Sequence, residues 1–552
     1  MLFEKRNILK KIIIGELMCG IVGLAGNFNR ELLSNVLKSI EHRGEDYSGI
    51  FIDEDNKIGL GHSLLSIFNL INDNNEIIDN IENNKQPIIL DNLVLVFNGE
   101  IYNFTKLESF LIENIENHSK SKSDSQLLAN LILHYYNLYS KGNGENILLE
   151  SVKSVLTQLD GDYSFAVYDK KHNDLAILRD QIGVKPLFYG IEEEKDLKAF
   201  ASEKKALWKA GIDDEKIHDL SPGAILYNWE TVDLDDNIIN EIILTDFKEI
   251  KNSYNEYKDY LDTKESYEVY KELLVDDLYS AVEKRVRNIS DVGLIFSGGV
   301  DSTILAVLLK KIAENRNNEN LLPLNIKLYS VGVENSQDIK FSKEIAEELN
   351  LPLKTIIIDE TTVKESIKPV LSAIEDDNVM KLGVGMTIYL AAKAMKEDGI
   401  KVALSGQGAD ELFGGYNRYL KHFEENSLFD AYFALDEEIY HDIANMYHVN
   451  LERDDAVSMA NGVELRVPFL DKDIIDLALD IPGKYKIKDS DDLLRKHILR
   501  DVAKSLGVPD YIADRPKKAA QYGSGINKIL KKKVLRSFDI EEFMDSLKNN
   551  WF

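Results

Sequence analysis

Up to Ser221-Pro222-Gly223 the apolar residues fall in short runs cut by turn residues. Residues 20–26 (Gly-Ile-Val-Gly-Leu-Ala-Gly) are an apolar run bounded by glycines, the pattern of a buried strand. Residues 93–97 (Leu-Val-Leu-Val-Phe) are a second, and the Asn98-Gly99 pair behind it predicts a turn. Residues 163–168 and 174–178 predict a hairpin across 169–173. Helices are expected near 31–40, 124–139 and 145–158, and the Asn/Asp-rich stretch 71–84 reads as an inserted polar loop. Residues 229–265 are acidic and Tyr-rich with weak periodicity, which places a linker there. From 266 onward apolar strands at 292–296, 326–331, 354–358 and 401–405 each precede a helical stretch. That alternation predicts a parallel sheet covered by helices. No repeat with a period of about 20–50 residues is present.

A chain of 552 residues is long enough for two or more domains with sizeable cores. The formal net charge of −29 leaves no basic footprint, which excludes nucleic acid as the expected partner. The lysines at 531–533 read as a solvated helix face. The single cysteine, Cys19, rules out a disulfide within the chain and a cysteine metal cluster, and it fits a reducing compartment. No apolar run reaches the ~18–20 residues of a membrane span. The apolar stretch at 12–14 is broken by Gly15 and Glu16, too short for a secretory signal. The expected location is the cytoplasm, with no membrane partner.

Two glycine-rich segments carry candidate chemistry. Ser297-Gly298-Gly299-Val300-Asp301-Ser302-Thr303 follows a predicted strand and opens a helix. Backbone N–H groups in such a loop, added to the helix start, favour a pyrophosphate. Asp301 would repel a bare phosphate and makes sense as a Mg²⁺ ligand. Ser405-Gly406-Gln407-Gly408-Ala409-Asp410-Glu411 leaves the end of another predicted strand, where ligands of open parallel sheets sit. Asp410 and Glu411 could supply a second metal contact. Both segments also have a plain reading as capped turns with solvated acids.

At the other end, Cys19-Gly20-Ile21-Val22-Gly23 alone would read as a buried small residue before a strand. Its company is His42-Arg43-Gly44-Glu45-Asp46, Gly61-His62, Asn98-Gly99-Glu100-Ile101-Tyr102-Asn103, Ser123-Asp124, residues 159–166 and Arg179-Asp180-Gln181-Ile182-Gly183-Val184-Lys185-Pro186. This series resembles a class II glutamine amidotransferase domain, an N-terminal-nucleophile (Ntn) hydrolase with an αββα sandwich. The second-half motifs, with the long block 461–471 and Lys496-His497-Ile498-Leu499-Arg500, resemble the synthetase domain of glutamine-dependent asparagine synthetases. That domain has a parallel-sheet α/β ATP-pyrophosphatase (PP-loop) fold. The resulting division is an extension 1–18 absent from the mature protein, an amidotransferase domain 19–228, a linker 229–265 and a synthetase domain 266–552.

The resemblance implies site roles. Cys19 would be the nucleophile, with the oxyanion held by Asn98 and the Gly99 N–H. Glutamine would bind at Glu100, Asp124 and Arg43. ATP would bind through Ile295, Ser297, Gly298, Gly299, Asp301, Ser302, Val331, Ser405 and Gly406. Lys496 would stabilise charge during adenylation, Asp301 and Asp410 would hold Mg²⁺, and Gln407 stands where adenylate formation is assisted. The implied reaction is ATP-dependent amidation of aspartate to asparagine, through β-aspartyl-AMP, with ammonia drawn from glutamine. A homodimer is implied as well.

Three features qualify that expectation. In the family the cysteine is the first residue, because a free α-amine with pKa near ~7.7–8.0 can serve as base where a lysine at ~10.4 cannot. Cys19 therefore predicts either a true start at Met18, removed after synthesis, or a processed propeptide; Gly15-Glu16 can encode a ribosome-binding element just upstream of Met18. Leu64 stands where the family has an arginine that clamps the glutamine carboxylate, and leucine cannot make that bidentate pair. Gln407 stands where well-known members have Glu, and an amide accepts no proton at neutral pH. Residues 515–525 also lean toward divergent members of the family. Either Asp410 or Glu411 substitutes, or the amidotransferase serves a different carboxylate. A nucleotide-binding descendant without turnover is the third reading.

Overall fold

The computed structural model describes residues 17–67, 69–71, 77–79, 81–116, 118–142, 145–232, 266–319, 321–516, 523–536 and 538–551. The expected N-terminal extension lies outside these residues except for Leu17 and Met18, and the expected linker lies outside them beyond Val232. The described residues form two compact units, 17–180 with 185–232, and 181–184 with those from 266 to 551.

In the first unit, alternation along each strand builds two six-stranded antiparallel sheets that pack face to face. One runs Ile217–Asp219, Phe188–Glu192, Leu197–Ala201, Leu17–Gly26, Ile58–Ser66, Tyr47–Asp53. The other runs Glu230–Thr231, Ile225–Tyr227, Asp174–Arg179, Gly161–Asp169, Leu93–Ile101, Ile88–Leu90. Ile21, Ala25 and Leu60 meet Val94, Val96, Ala166 and Tyr168 between the sheets. The alternate residues Val22 and Leu24 face the other way, onto Leu33, Val36 and Leu37 of helix Arg30–Lys38 and Leu207 of helix Lys204–Ala210. Helices Asp124–Tyr139 and Ile147–Leu156 cover the second sheet, which completes four layers, αββα. The Ser123 hydroxyl accepts from the Gln126 N–H and caps the first of these helices, worth about 1 kcal/mol.

Two local expectations change. Asn98-Gly99 is not a turn: strand Leu93–Ile101 runs straight through it, with Asn98 opposite Ser164 and Gly99 opposite Tyr163. Gly99 has φ +148°, and a Cβ there would lie 2.1 Å from the Asp162 carbonyl oxygen. Close backbone approach, not a reversal, is why glycine occupies that position. Within 71–84, Asn69–Ile71 pairs with Ile77–Asp79 and a short helix spans Ile81–Asn84, so the stretch is not all loop. Residues 72–76 and 80 lie outside the described residues.

The second unit is a five-stranded parallel sheet. Its order is Leu353–Ile357, Asn325–Gly332, Asp291–Ile295, Val402–Leu404, Glu464–Arg466. Four of these strands match the alternation read from the sequence; the short edge strand Glu464–Arg466 carries too little apolar signal to be seen that way. In chain order the sheet reads third, second, first, fourth, fifth. The direction of winding reverses between Asp291–Ile295 and Val402–Leu404, and the carboxyl ends of strands at such a reversal are where ligands of open parallel sheets sit. One face packs on helices Glu360–Ile374 and Val379–Glu397 through Tyr329, Val331, Leu382, Met386 and Met395. Helix Ser266–Val286 packs with Val300–Asn318, Lys472–Asp480 and His497–Leu506.

Candidate active sites

In the first unit the inward faces change character toward one end of the strands. By the same alternation that buries Ile21 and Leu60, Cys19, His62 and Leu64 point between the sheets, opposite Asn98, Glu100 and Ser164. Cys19 is fully buried and packs on Leu64, its partner in strand register, with Tyr47 and Ile81 alongside. Asn98 is also fully buried, and among the described residues neither its amide oxygen nor its nitrogen reaches a hydrogen-bond partner. Leaving a buried amide unsatisfied costs about 1–3 kcal/mol, so such a group calls for an explanation in function. Glu100 and Asp124 are 2% exposed, and Asp124 accepts from the Ile101 N–H at 3.0 Å. The first-unit residues singled out in the sequence thus converge on one buried end of the sandwich.

Arg43 lies at the Cys19 main chain. Its Nε donates to the Cys19 carbonyl at 3.3 Å and its Nη1 to Glu203 at 2.9 Å. Glu203, which the sequence reading did not single out, is 3% exposed and also meets His42 at 3.0 Å and Lys205 at 2.8 Å. Burial opposes its ionisation, yet His42, Lys205 and Arg43 together hold its carboxyl well below the usual range. The available clue was Ser202-Glu203 directly behind an apolar strand. His62 is fully buried against the Phe97 carbonyl, and desolvation lowers its pKa to about 3, so the ring stays neutral at working pH.

In the second unit the two glycine-rich segments meet at the carboxyl ends of the strands. Helix Val300–Asn318 begins at Gly299 with no side-chain cap, so side chains leave its first N–H groups to an anion. Ser302 Oγ and Thr303 Oγ1 donate back to the Gly299 carbonyl at 3.2 and 2.7 Å, which fixes the loop. Gly298 sits at φ +65°, and its carbonyl accepts from Arg515 Nη1 at 3.1 Å. Ile295 ends the central strand, Val331 lies near the end of the next, and Ser405-Gly406-Gln407 leaves Val402–Leu404. The Cβ of Asp301 stands 3.1 Å from where a Cβ on Gly406 would be, so these two loops touch.

Lys496 ties them together. It is fully buried, and its Nζ contacts Asp301 Oδ1 and Oδ2 at 2.8 and 2.9 Å and Asp410 Oδ1 at 2.5 Å. Both carboxylates keep 18% of their surface exposed toward solvent. Arg495 and Lys496 both adopt left-handed backbone, φ +53° and +52°, at roughly 1–2 kcal/mol each for non-glycine residues. Strain of that kind is held where a side chain must be aimed. Desolvation lowers the Lys496 pKa, against the pull of Asp301. A Cβ on Gly415 would lie 1.9 Å from Asp410 Oδ1 and 2.4 Å from Lys496 Cε, so only glycine lets that turn pass behind the pair. Glu411 is 2% exposed, bonded by the Tyr416 hydroxyl at 2.5 Å and Asn450 Nδ2 at 2.8 Å, and burial raises its pKa.

No helix among the described residues is long and apolar enough to cross a membrane. Residues 18–244 match the glutamine amidotransferase domain family, and residues 273–433 and 421–542 match the asparagine synthase family. A Methanocaldococcus jannaschii chain assigned to the glutamine-hydrolysing asparagine synthetases is 37% identical, covering 96% of this chain and 99% of its own length. Asparagine synthetase B of Escherichia coli, glutamine-hydrolysing, is 29% identical over 92% of this chain and 82% of its own. Asparagine synthetase 1 of Bacillus subtilis, also glutamine-hydrolysing, is 26% identical over 91% of this chain and 86% of its own. With an Ntn-type amidotransferase sandwich, a PP-loop sheet and these relatives, the chain belongs to the glutamine-hydrolysing asparagine synthetase family of carbon–nitrogen ligases.

Proposed function

We propose that this enzyme hydrolyses glutamine at Cys19 and uses the ammonia, with ATP, to convert aspartate to asparagine. The observation that carries the reading is Lys496 Nζ, buried between Asp301 and Asp410 at the carboxyl ends of the parallel strands. A polyphosphate on the Ser297–Ser302 loop would lie beside this cation, which offsets the charge built on the transferred phosphoryl group. The aspartate β-carboxylate attacks the α-phosphorus and pyrophosphate leaves. The β-aspartyl adenylate that results gives ammonia a carbonyl whose leaving group is AMP. Ser297, Gly298, Gly299, Asp301 and Ser302 would serve the pyrophosphate, and Ile295, Val331, Ser405 and Gly406 the adenosine. Asp301 and Asp410 both contact Lys496 Nζ, and as hard oxygen donors they would hold Mg²⁺, which would neutralise phosphate charge when bound. Gln407 takes no proton and serves adenylate formation by hydrogen bonding alone.

In the first unit the Cys19 thiolate attacks the glutamine amide carbon, the C–N bond breaks to release ammonia, and water hydrolyses the resulting thioester to free glutamate. Asn98 and the Gly99 N–H receive the oxyanion, Glu100 and Asp124 hold the ammonium and amide of glutamine, and Arg43 serves glutamine through the Cys19 main chain it holds. The base is the Cys19 α-amine, which requires that residues 1–18 be removed. N-terminal sequencing of native protein tests this, and full glutaminase activity in a chain that retains Met1 would sink it. Purified protein with glutamine, aspartate and Mg-ATP should yield asparagine and AMP in equal amounts. Pyrophosphate release that ignores aspartate would overturn the acceptor assignment. Light scattering should give the mass of a homodimer, and a monomer would refute that part.

A further inference from the structure

The strand that carries Cys19 loses one of its neighbours before it reaches Cys19. Leu197–Ala201 pairs with it only from Val22 onward, Val22 opposite Ala201. Residues 17–21 pair with strand Ile58–Ser66 on one side, and among the described residues no strand pairs with them on the other. The ladder is continued there in steps. The Ser202 N–H donates to the Ile21 carbonyl at 3.0 Å, and the Ile21 N–H donates to Ser202 Oγ at 3.0 Å. Residues two apart on a strand aim their backbone groups at the same edge, so the Cys19 carbonyl comes next. It accepts from Arg43 Nε at 3.3 Å, and Arg43 Nη1 is held by Glu203 Oε1 at 2.9 Å. Arg43 is 0% and Glu203 3% exposed.

We propose that Glu203 is a positioning residue for glutamine hydrolysis, acting through Arg43 to replace the missing strand and fix the main chain of Cys19. The inference rests on Cys19 being the nucleophile. The edge that presents the Cys19 carbonyl also presents its nitrogen, so the same clamp sets where an α-amine sits relative to the thiol. A shift of about 1 Å between nucleophile and base costs up to about 10²-fold in rate without touching substrate affinity. Lys205 meets the other Glu203 oxygen at 2.8 Å and is not on the path to Cys19, which makes it the control.

The test uses the mature full-length enzyme and three variants, Glu203→Gln, Glu203→Asp and Lys205→Gln. Each is assayed for glutaminase kcat and KM, for alkylation of its single cysteine by iodoacetamide, and for thermal melting. Glu203→Gln should lose about tenfold or more in kcat with KM for glutamine within about threefold, and Cys19 alkylation should slow with it. Glu203→Asp should recover part of the loss, and Lys205→Gln should keep wild-type kcat. Wild-type kcat in Glu203→Gln overturns the inference. So does an equal loss in Lys205→Gln, or a loss no larger than the fall in folded fraction. If wild-type enzyme does not hydrolyse glutamine, or Cys19→Ala still does, the functional reading fails instead.

Discussion

The two candidate sites handle polar groups in opposite ways. At Asn98 a fully buried amide is left without a hydrogen-bond partner among the described residues. At Lys496 a fully buried ammonium is gripped by two carboxylates. The difference follows from the charge each site must meet. A thiolate attacking an amide builds one oxyanion, which preorganised neutral donors stabilise without rearranging. On the proposed reading a nucleotide brings several negative charges; a lone buried cation would be costly, and Asp301 and Asp410 pair it.

That contrast can be broken from either side. The largest effect is expected from Cys19→Ala, a loss of ~10³-fold or more in glutamine-dependent asparagine formation. Ammonium-dependent formation should stay within about twofold. Loss of both would mean the units do not divide the chemistry. Lys496→Met should lower AMP formation by about 10²–10³-fold with either nitrogen source. Glutaminase activity that falls equally would contradict the separation. Asn98→Ala should reduce glutaminase kcat by about 10²-fold if, as proposed, its amide receives the oxyanion. An unchanged kcat would show that the orphaned amide is only a packing defect. Gly415→Ala should cost about tenfold in adenylation by pushing Asp410 and Lys496 apart, with glutaminase intact.

The smallest effect separates stability from chemistry within the second unit. Asp398 carries hydrogen bonds from Lys327, Tyr329 and Lys354, and these lower its pKa from 3.8 to about 2. A depressed carboxylate stabilises the fold fully above its unfolded pKa and loses that contribution as pH falls through the folded one. Thermal melting of wild type against Asp398→Asn should therefore differ at pH 6 and converge between roughly pH 4 and 2. A difference that persists below pH 2 would rule out this origin. Neither enzymatic activity should change at pH 7.

Much of the fold was legible where periodicity was strong. Helix Asp124–Tyr139, the hairpin Gly161–Asp169 with Asp174–Arg179, and four of the five parallel strands follow their hydrophobic patterns. Asn98-Gly99 misled because a local turn preference was overridden by pairing on the facing strand, where Gly99 admits the Asp162 carbonyl. Leu64, which stands where the resemblance has an arginine, is the apolar neighbour of Cys19. The contacts of Arg43 with the Cys19 carbonyl and with Glu203 were not legible, because Glu203 lies 160 residues away in sequence.

The sequence by itself determined the residue types: a lone cysteine before a strand, glycines behind strands, paired acids and a lysine. These are local, and each chemistry is written in neighbouring letters. Tertiary structure alone decided which of them meet. Lys496 reaches Asp301 across 195 positions because the winding of the sheet reverses between two strands. Glu203 reaches Cys19 through Arg43 because strand Leu197–Ala201 stops short of it. Where a strand ends relative to its neighbour is set by packing of the whole sheet, and no window of sequence contains it.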